Sequence, residues 1–408
     1  MKRLLICCVL GVAACAAQTA TPAIAGSSVV LAACPFCDAP TLLMAEQVQM
    51  CSHMVLGKWL GGEKPTDTSI GNSRFEILQV AKSPGEIFKV GQTVELPQYI
   101  AGSEKATYAL MGMTEKLEDW HQPLEVSEAA WKYLATLPMP VTEPEKQTER
   151  LAFAIGYLEH PDLLISNDAY SEFAAAPYEV IVPLSKQFPR EKLSQWITSA
   201  ETTVTRIGLY GLLLGLCGTE DDAVTMEKKI LVCDADFRLG IEGVMSGYLL
   251  IRGEPGLKVI EDSKMRATTC LNGQGETINL PFSETYAAMQ TLRFMWTYEP
   301  DRIEKTRLKE SMRILLDRPD LADLVITDLA RWKDWEVQDR LMSMYDDTKY
   351  SLPAVKRAIV RFLYHCSQEK PAEGEQPSAL TLQAKERLAE LEKKDPKTVS
   401  DVRRYLVR

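Results

Sequence analysis

The sequence predicts a multidomain chain of β + all-α class, with a small β-barrel followed by an α-solenoid of packed helices. Three observations predict it. Residues 52–113 string short apolar runs between Gly and Pro turn signals, as strands do. Pro138, Pro140 and Pro144 fall within seven positions, which no helix interior tolerates. From Gln147 onward, apolar residues recur at helical spacing. The expected organisation is a signal peptide at 1–25, a β module with a flanking helix at 26–136, a linker at 137–146 and a helical domain at 147–408.

The chain opens with Lys2 and Arg3, then an apolar stretch over 4–17 that is too short to span a bilayer, which takes ~20 residues. Ala23-Ile24-Ala25 follows as a small-x-small cleavage site. The expectation is export, to the periplasm or outside the cell. Two further cuts stay open. Val12-Ala13-Ala14-Cys15 and Leu31-Ala32-Ala33-Cys34 both resemble a bacterial lipobox, and Cys15 is the lipidation candidate. Lipidation would tether the protein to a membrane by acyl chains and not by a spanning helix.

Within the β module, residues 40–48 read as a short helix and 53–60 as an apolar strand ending at Gly61-Gly62. Residues 74–80 are rich in strand formers, Ser83-Pro84-Gly85 is a turn, Thr93-Val94-Glu95-Leu96 alternates, and 107–113 is a further strand. Closing such a sheet into a barrel hides its edges. Ser127 caps a helix over 128–136.

In the helical part, Leu151, Ile155 and Leu158 share a face, as do Leu321, Leu324, Val325, Leu329 and Trp332, and Val355, Ile359, Phe362 and Leu363. Residues 217–219, 252–256 and Asn272-Gly273-Gln274-Gly275 break the helices. Glu159-His160-Pro161-Asp162-Leu163 echoes Asp317-Arg318-Pro319-Asp320-Leu321, each placing a proline at the expected start of a helix. Such units stack into solenoids, which offer extended binding surfaces. Residues 367–378 read as a loop, 380–394 as an amphipathic helix, and Asp395-Pro396 as the start of the last one.

The chain carries 46 basic and 56 acidic residues, a net charge of −10, and loses Lys2 and Arg3 with the signal. That argues against a nucleic-acid partner, which requires a clustered positive surface. Of ten cysteines, Cys7, Cys8 and Cys15 precede Ala25. The odd number left implies at least one thiol without an intrachain partner.

Cys34-Pro35-Phe36-Cys37 just after a signal, a β module containing Lys89-Val90-Gly91-Gln92, and helices opened by Pro-Asp-Leu together resemble an uncharacterised family of secreted bacterial proteins. The β part also resembles the netrin/TIMP-like OB-fold module, and the helical part resembles HEAT-type repeats. The TIMP likeness implies protease inhibition, although there the metal-chelating motif is Cys-x-Cys and here the spacing is Cys-x-x-Cys.

Cys34 and Cys37 are the disulfide candidate, read as a structural bond pinning the N-terminal segment; a redox pair is the alternative. With Cys51 and His53 they also form a possible zinc set. The pairing of Cys51, Cys217, Cys233, Cys270 and Cys366 stays open, a Cys217–Cys233 bond being one possibility, and Cys217 reads as a buried apolar residue. Asp221-Asp222, Asp234 with Asp236, and Asp346-Asp347 read as solvated helix ends. Trp332, Trp335 and Tyr345 read as core aromatics, with a ligand platform as the alternative. No H-E-x-x-H or G-x-S-x-G is present among the residues. The expectation is a non-catalytic exported or envelope protein, with no cofactor, that binds a protein partner through its helices. The alternatives are a thiol–disulfide protein using Cys34 and Cys37, or a TIMP-like inhibitor.

Overall fold

A computed structural model describes residues 34, 36, 42–113, 119–371 and 376–406. The expected signal peptide and the Cys15 lipidation candidate lie outside them. The apolar run over 53–60 forms most of a long central strand, β1 (His53–Glu63), which runs through Gly61 and Gly62 instead of stopping there. It pairs with β2 (Asn72–Lys82) on one side, and β2 pairs with β3 (Thr93–Leu96). On its other side β1 pairs with β4 (Thr107–Gly112), and β4 with β5 (Leu124–Val126). All four pairings are antiparallel, in the order β3-β2-β1-β4-β5. Register shifts at Leu56/Gly57 and Trp59/Gly61 bend β1, as inserted residues do.

Alternation puts the two faces of this sheet into two cores. Val55, Phe75, Ile77, Val94, Leu96, Tyr108 and Leu110 cluster on one face with Phe88 from the β2–β3 connection. Met54, Leu56, Ala109 and Met111 face the other way, against Ala130, Trp131, Tyr133 and Leu134 of the helix Glu128–Thr136. The expected barrel closure is absent among the described residues, where β3 and β5 do not pair. At four and three residues they are too short to lap one another. The sheet's two faces are covered by the Glu128–Thr136 helix and by the Phe88 loop.

The Glu128–Thr136 helix starts where the sequence places it, with Ser127 Oγ accepting from Ala130 N at 3.0 Å. The next helix, Pro144–Ile155, begins inside the expected linker. That linker is fastened: Leu137 is buried, and Arg150 Nε donates to Pro138 O at 3.1 Å. The core of the sheet module takes in Ile165, Phe153, Tyr157 and Leu164 from the helices that follow. Every described residue belongs to one compact unit, Ala32–Arg408.

Beyond residue 144, alternate helices pack on one another. Ile207–Cys217 lies against Ile241–Arg252, which lies against Phe282–Tyr298. Likewise Ala322–Arg331 lies against Pro353–Ser367, which lies against Pro396–Leu406. A continuous apolar core runs from Cys34 to Val402. The two echoed motifs do not cap alike. Asp162 caps Leu163–Ala175, accepting from Leu164 N at 2.9 Å, so Pro161 stands before the cap. In the second copy the cap position falls on Leu321, one residue later than Asp320.

The helical part also contains a small sheet that the periodicity does not announce. β6 (Val232–Cys233) runs parallel to β7 (Thr269–Asn272), which forms a hairpin with β8 (Thr277–Asn279). Asn272-Gly273-Gln274-Gly275, expected as a break between helices, is the hairpin turn. Asn272 Oδ1 accepts from Gln274 N and Glu276 N, and Gly275 takes φ +80°. The fold is therefore mixed β and α. No helix among the described residues is long and apolar enough to cross a membrane.

Candidate functional site

Helix Ala322–Arg331 ends at a bend that shapes a groove. Trp332 N donates to Asp328 O, Asp334 N donates to Leu329 O at 2.9 Å, and Lys333 between them adopts φ +52°. A non-glycine residue holds that conformation only when its surroundings impose it. Here the Asp334 N–H bond to Leu329 O closes the turn over Lys333, and Arg313 holds the buried Asp334 carboxylate with Nε at 2.7 Å and a second bond from Nη2.

The bend opens a groove of roughly 380 Å³ toward helix Pro353–Ser367. Trp335 and Phe362 form its apolar floor, rings edge to face at 5.1 Å. Arg331, Lys333, Arg361 and His365 line it, with Glu369 the one acid. Lys333 pairs with Glu369 at 2.6 Å, and Arg331 reaches Asp328 at 3.5 Å. Asp328 is held more closely by Arg293, at 2.6 Å, so Arg331 is weakly engaged. Arg361 has no ion-pair or hydrogen-bond partner among the described residues. Burial, and then Arg361, push the His365 imidazole below its ordinary value, so it faces the groove uncharged at neutral pH. An uncharged imidazole offers one donor and one acceptor. The groove is thus cationic with an aromatic floor, on a chain of net charge −10.

The sequence-predicted site residues are placed elsewhere. Cys37 lies outside the described residues. Cys34 is buried against the helical array, its N–H donating to Ala174 O at 3.1 Å, and Phe36 packs on Phe294 at 5.2 Å. The segment therefore docks on the helices and not at the start of the sheet. Cys51 is buried, its thiol donating to Val48 O at 3.1 Å. His53 packs edge-on to Phe88 in the opposite core, with neither ring nitrogen hydrogen-bonded. The two side chains thus enter different cores, so they do not converge as the zinc set requires.

Cys233 pairs with Cys270, not with Cys217. Cys217 is half-buried where a buried residue was expected, because it sits in the last turn of its helix; burial still pushes its thiol up to about 11. The Cys366 thiol is likewise pushed up to about 11 by burial. Thiols shifted in that direction are poor nucleophiles. Trp332 is core, stacked on Trp296 at 4.3 Å, and Tyr345 is buried with its hydroxyl donating to Asp395 at 2.9 Å. Only Trp335 of the three faces the groove. Asp222, expected to be solvated, is buried at a helix start, where it closes a capping box with Thr219 and pairs with Arg190 at 2.6 Å. Arg361 and Lys333 were missed, being single charges on separate elements that only the bend brings together.

Comparison with protein-family models, curated proteins and solved structures finds no match for this chain.

Proposed function

We propose that this chain is a non-catalytic exported protein that binds another protein, and that the groove between Ala322–Arg331 and Pro353–Ser367 takes an acidic segment carrying an aromatic side chain. The observation that carries this reading is Arg361, a cation with no partner among the described residues, beside an aromatic floor. A carboxylate would pair with Arg361 and Arg331, and a ring would lie on Trp335 and Phe362. The wider architecture agrees with it. The strand order β3-β2-β1-β4-β5, with β1 paired on both sides, supports an OB-like reading of the sheet module. Packing of Ile207–Cys217 on Ile241–Arg252 and of Ala322–Arg331 on Pro353–Ser367 supports a HEAT-like reading of the helices, whose surfaces would bind extended segments.

The test is fluorescence anisotropy of the full mature chain with a labelled Asp/Glu-rich peptide containing Phe or Trp, against its Lys-substituted counterpart. The acidic peptide should bind, weaken with salt, and lose ~10-fold or more in affinity with Arg361→Glu, the scale of a charge reversal at a desolvated pair. Equal binding by the Arg361→Glu protein, or no preference for the acidic peptide, overturns the reading.

A further inference from the structure

A second constellation, independent of the groove, surrounds the Cys233–Cys270 bond. Its centre is Lys264, which has no exposed surface at all. A lysine stem buried to that extent needs its ammonium group fully engaged. Nζ lies 2.8 Å from Glu284 Oε2 and 3.1 Å from Cys233 Sγ. Lys264 reaches this position from a π-helical turn, Glu261–Arg266, whose extra residue per turn widens the helix. Thr285 Oγ1 donates to the Lys264 carbonyl at 2.9 Å and ties the turn in place.

The charges around it do not balance. Glu284 is also gripped by Arg238, with Nε at 2.6 Å and Nη2 at 2.7 Å, so two cations share one buried carboxylate. Two other titratable groups face this cluster. Glu242 stands near Glu284, its carboxyl pushed up by burial, and Lys229 stands near Arg238, its ammonium pushed down by burial. Neither has an ion pair with Lys264 or Arg238 among the described residues. Burial pulls the Lys264 ammonium below its ordinary value, against the raising pull of Glu284, and Nζ sits within hydrogen-bonding distance of a cystine sulfur, where a thiolate would favour its charged form.

The two sulfurs differ in access. Cys233 is 2% exposed, whereas Cys270 is half-buried on the hairpin. Beside the bridge, Val232 and Leu271 are exposed and stand opposite one another in the β6–β7 pairing, and Leu231 just before them is exposed too. Exposed apolar side chains beside a disulfide suit a protein co-reactant better than a small charged thiol.

We infer that the Cys233–Cys270 disulfide is a thiol-exchange site, attacked at Cys270 by the thiolate of a dithiol protein, with Lys264 receiving Cys233 as the leaving thiolate. The incoming thiolate sulfur bonds to Cys270 Sγ. The Cys233–Cys270 bond breaks, and its electron pair stays on Cys233 Sγ, paired with the Lys264 ammonium. The product is a mixed disulfide at Cys270, with no net change in oxidation state. Lys264 is a positioning residue that lowers the basicity of the leaving group, which speeds exchange.

The experiment uses the full mature chain with two probes: reduced glutathione, and reduced thioredoxin lacking its resolving cysteine so that the mixed disulfide accumulates. Peptide mass spectrometry should place the adduct on Cys270, and thioredoxin should react faster than glutathione at equal thiolate concentration. Lys264→Met should slow the exchange ~10-fold or more, because the leaving thiol becomes more basic. In chemically reduced protein, the pH profile of Cys233 alkylation should lie below that of an ordinary thiol, and Lys264→Met or Lys264→Gln should shift it upward. Both variants keep the Glu284–Arg238 pair, and either one that folds suffices. An adduct on Cys233, an alkylation profile unmoved by either variant, or glutathione reacting as fast as thioredoxin would overturn the inference.

Discussion

The Tyr133 hydroxyl donates to Asp168 Oδ2 at 2.8 Å, joining the helix that covers the sheet to the second helix of the array. Asp168 is buried and also accepts from Met44 N at 3.1 Å. Ser127 Oγ reaches Asp162 across the same junction at 2.5 Å. The cap of one helix thereby touches the cap of another, and three elements meet at two carboxylates.

Replacing Tyr133 by Phe removes that donor and leaves the buried Asp168 with a single described backbone partner. The expected loss is ~1.5–3 kcal/mol, the range for a hydrogen bond to a charged group. Urea unfolding followed by circular dichroism should move to a lower midpoint as one transition, because the bond spans both parts. An unchanged midpoint would show that Asp168 finds other satisfaction.

Glu172 sets a pH dependence nearby. Burial raises its carboxyl to about 7, against the lowering pull of Arg150, with which it makes a short ion pair. A carboxyl whose folded pKa lies above its unfolded one binds more protons when folded. Its favourable contribution is therefore present below the unfolded value, near 4.5, and is lost as pH rises through about 7. Glu172→Gln should remove that slope. Between pH 4.5 and 7.5 the wild-type chain should lose roughly 1–3 kcal/mol relative to the variant, since a tenfold change in proton affinity on folding is worth about 1.4 kcal/mol. Paired unfolding curves at the two pH values check it, and parallel pH profiles for the two proteins would refute it.

Much of the fold is legible in the sequence where one local rule decides the outcome. Thr93–Leu96 and the Ser127-capped helix are found at the expected residues because alternation and capping are short-range properties. The small second sheet is not, since its strands of two to four residues are too brief to carry a period. Lys264 is illegible for another reason: a lysine reads as solvated, and only Glu284, Cys233 and a widened helical turn account for its burial. The groove depends on Lys333 taking a left-handed conformation, which no periodicity marks.

One signal in the sequence is readable only in hindsight. Gly208, Gly211 and Gly215 repeat the spacing of Gly240, Gly243 and Gly247, and the helix Ile207–Cys217 packs face to face on Ile241–Arg252, which Gly240 precedes. Small residues on both sides let the backbones approach closely. A methyl on Gly211 would fall 2.7 Å from the Val244 backbone, and one on Gly247 would overlap the Gly211 carbonyl. Backbone cannot move aside as a flexible side chain can, so the helices must separate. Gly247→Ala should therefore lose ~2 kcal/mol or more, despite gaining up to ~1 kcal/mol in helix propensity. Gly156→Ala is the control. Gly156 closes its helix at φ −68°, and an added methyl meets nothing nearer than 3.9 Å. That substitution should be neutral, or stabilising by ~0.4–1 kcal/mol through the unfolded state. Thermal melts of both variants beside the parent decide it: equal shifts would mean that the glycine seam is not a backbone contact, whereas a loss confined to Gly247→Ala would locate the closest packing of the array between these two helices.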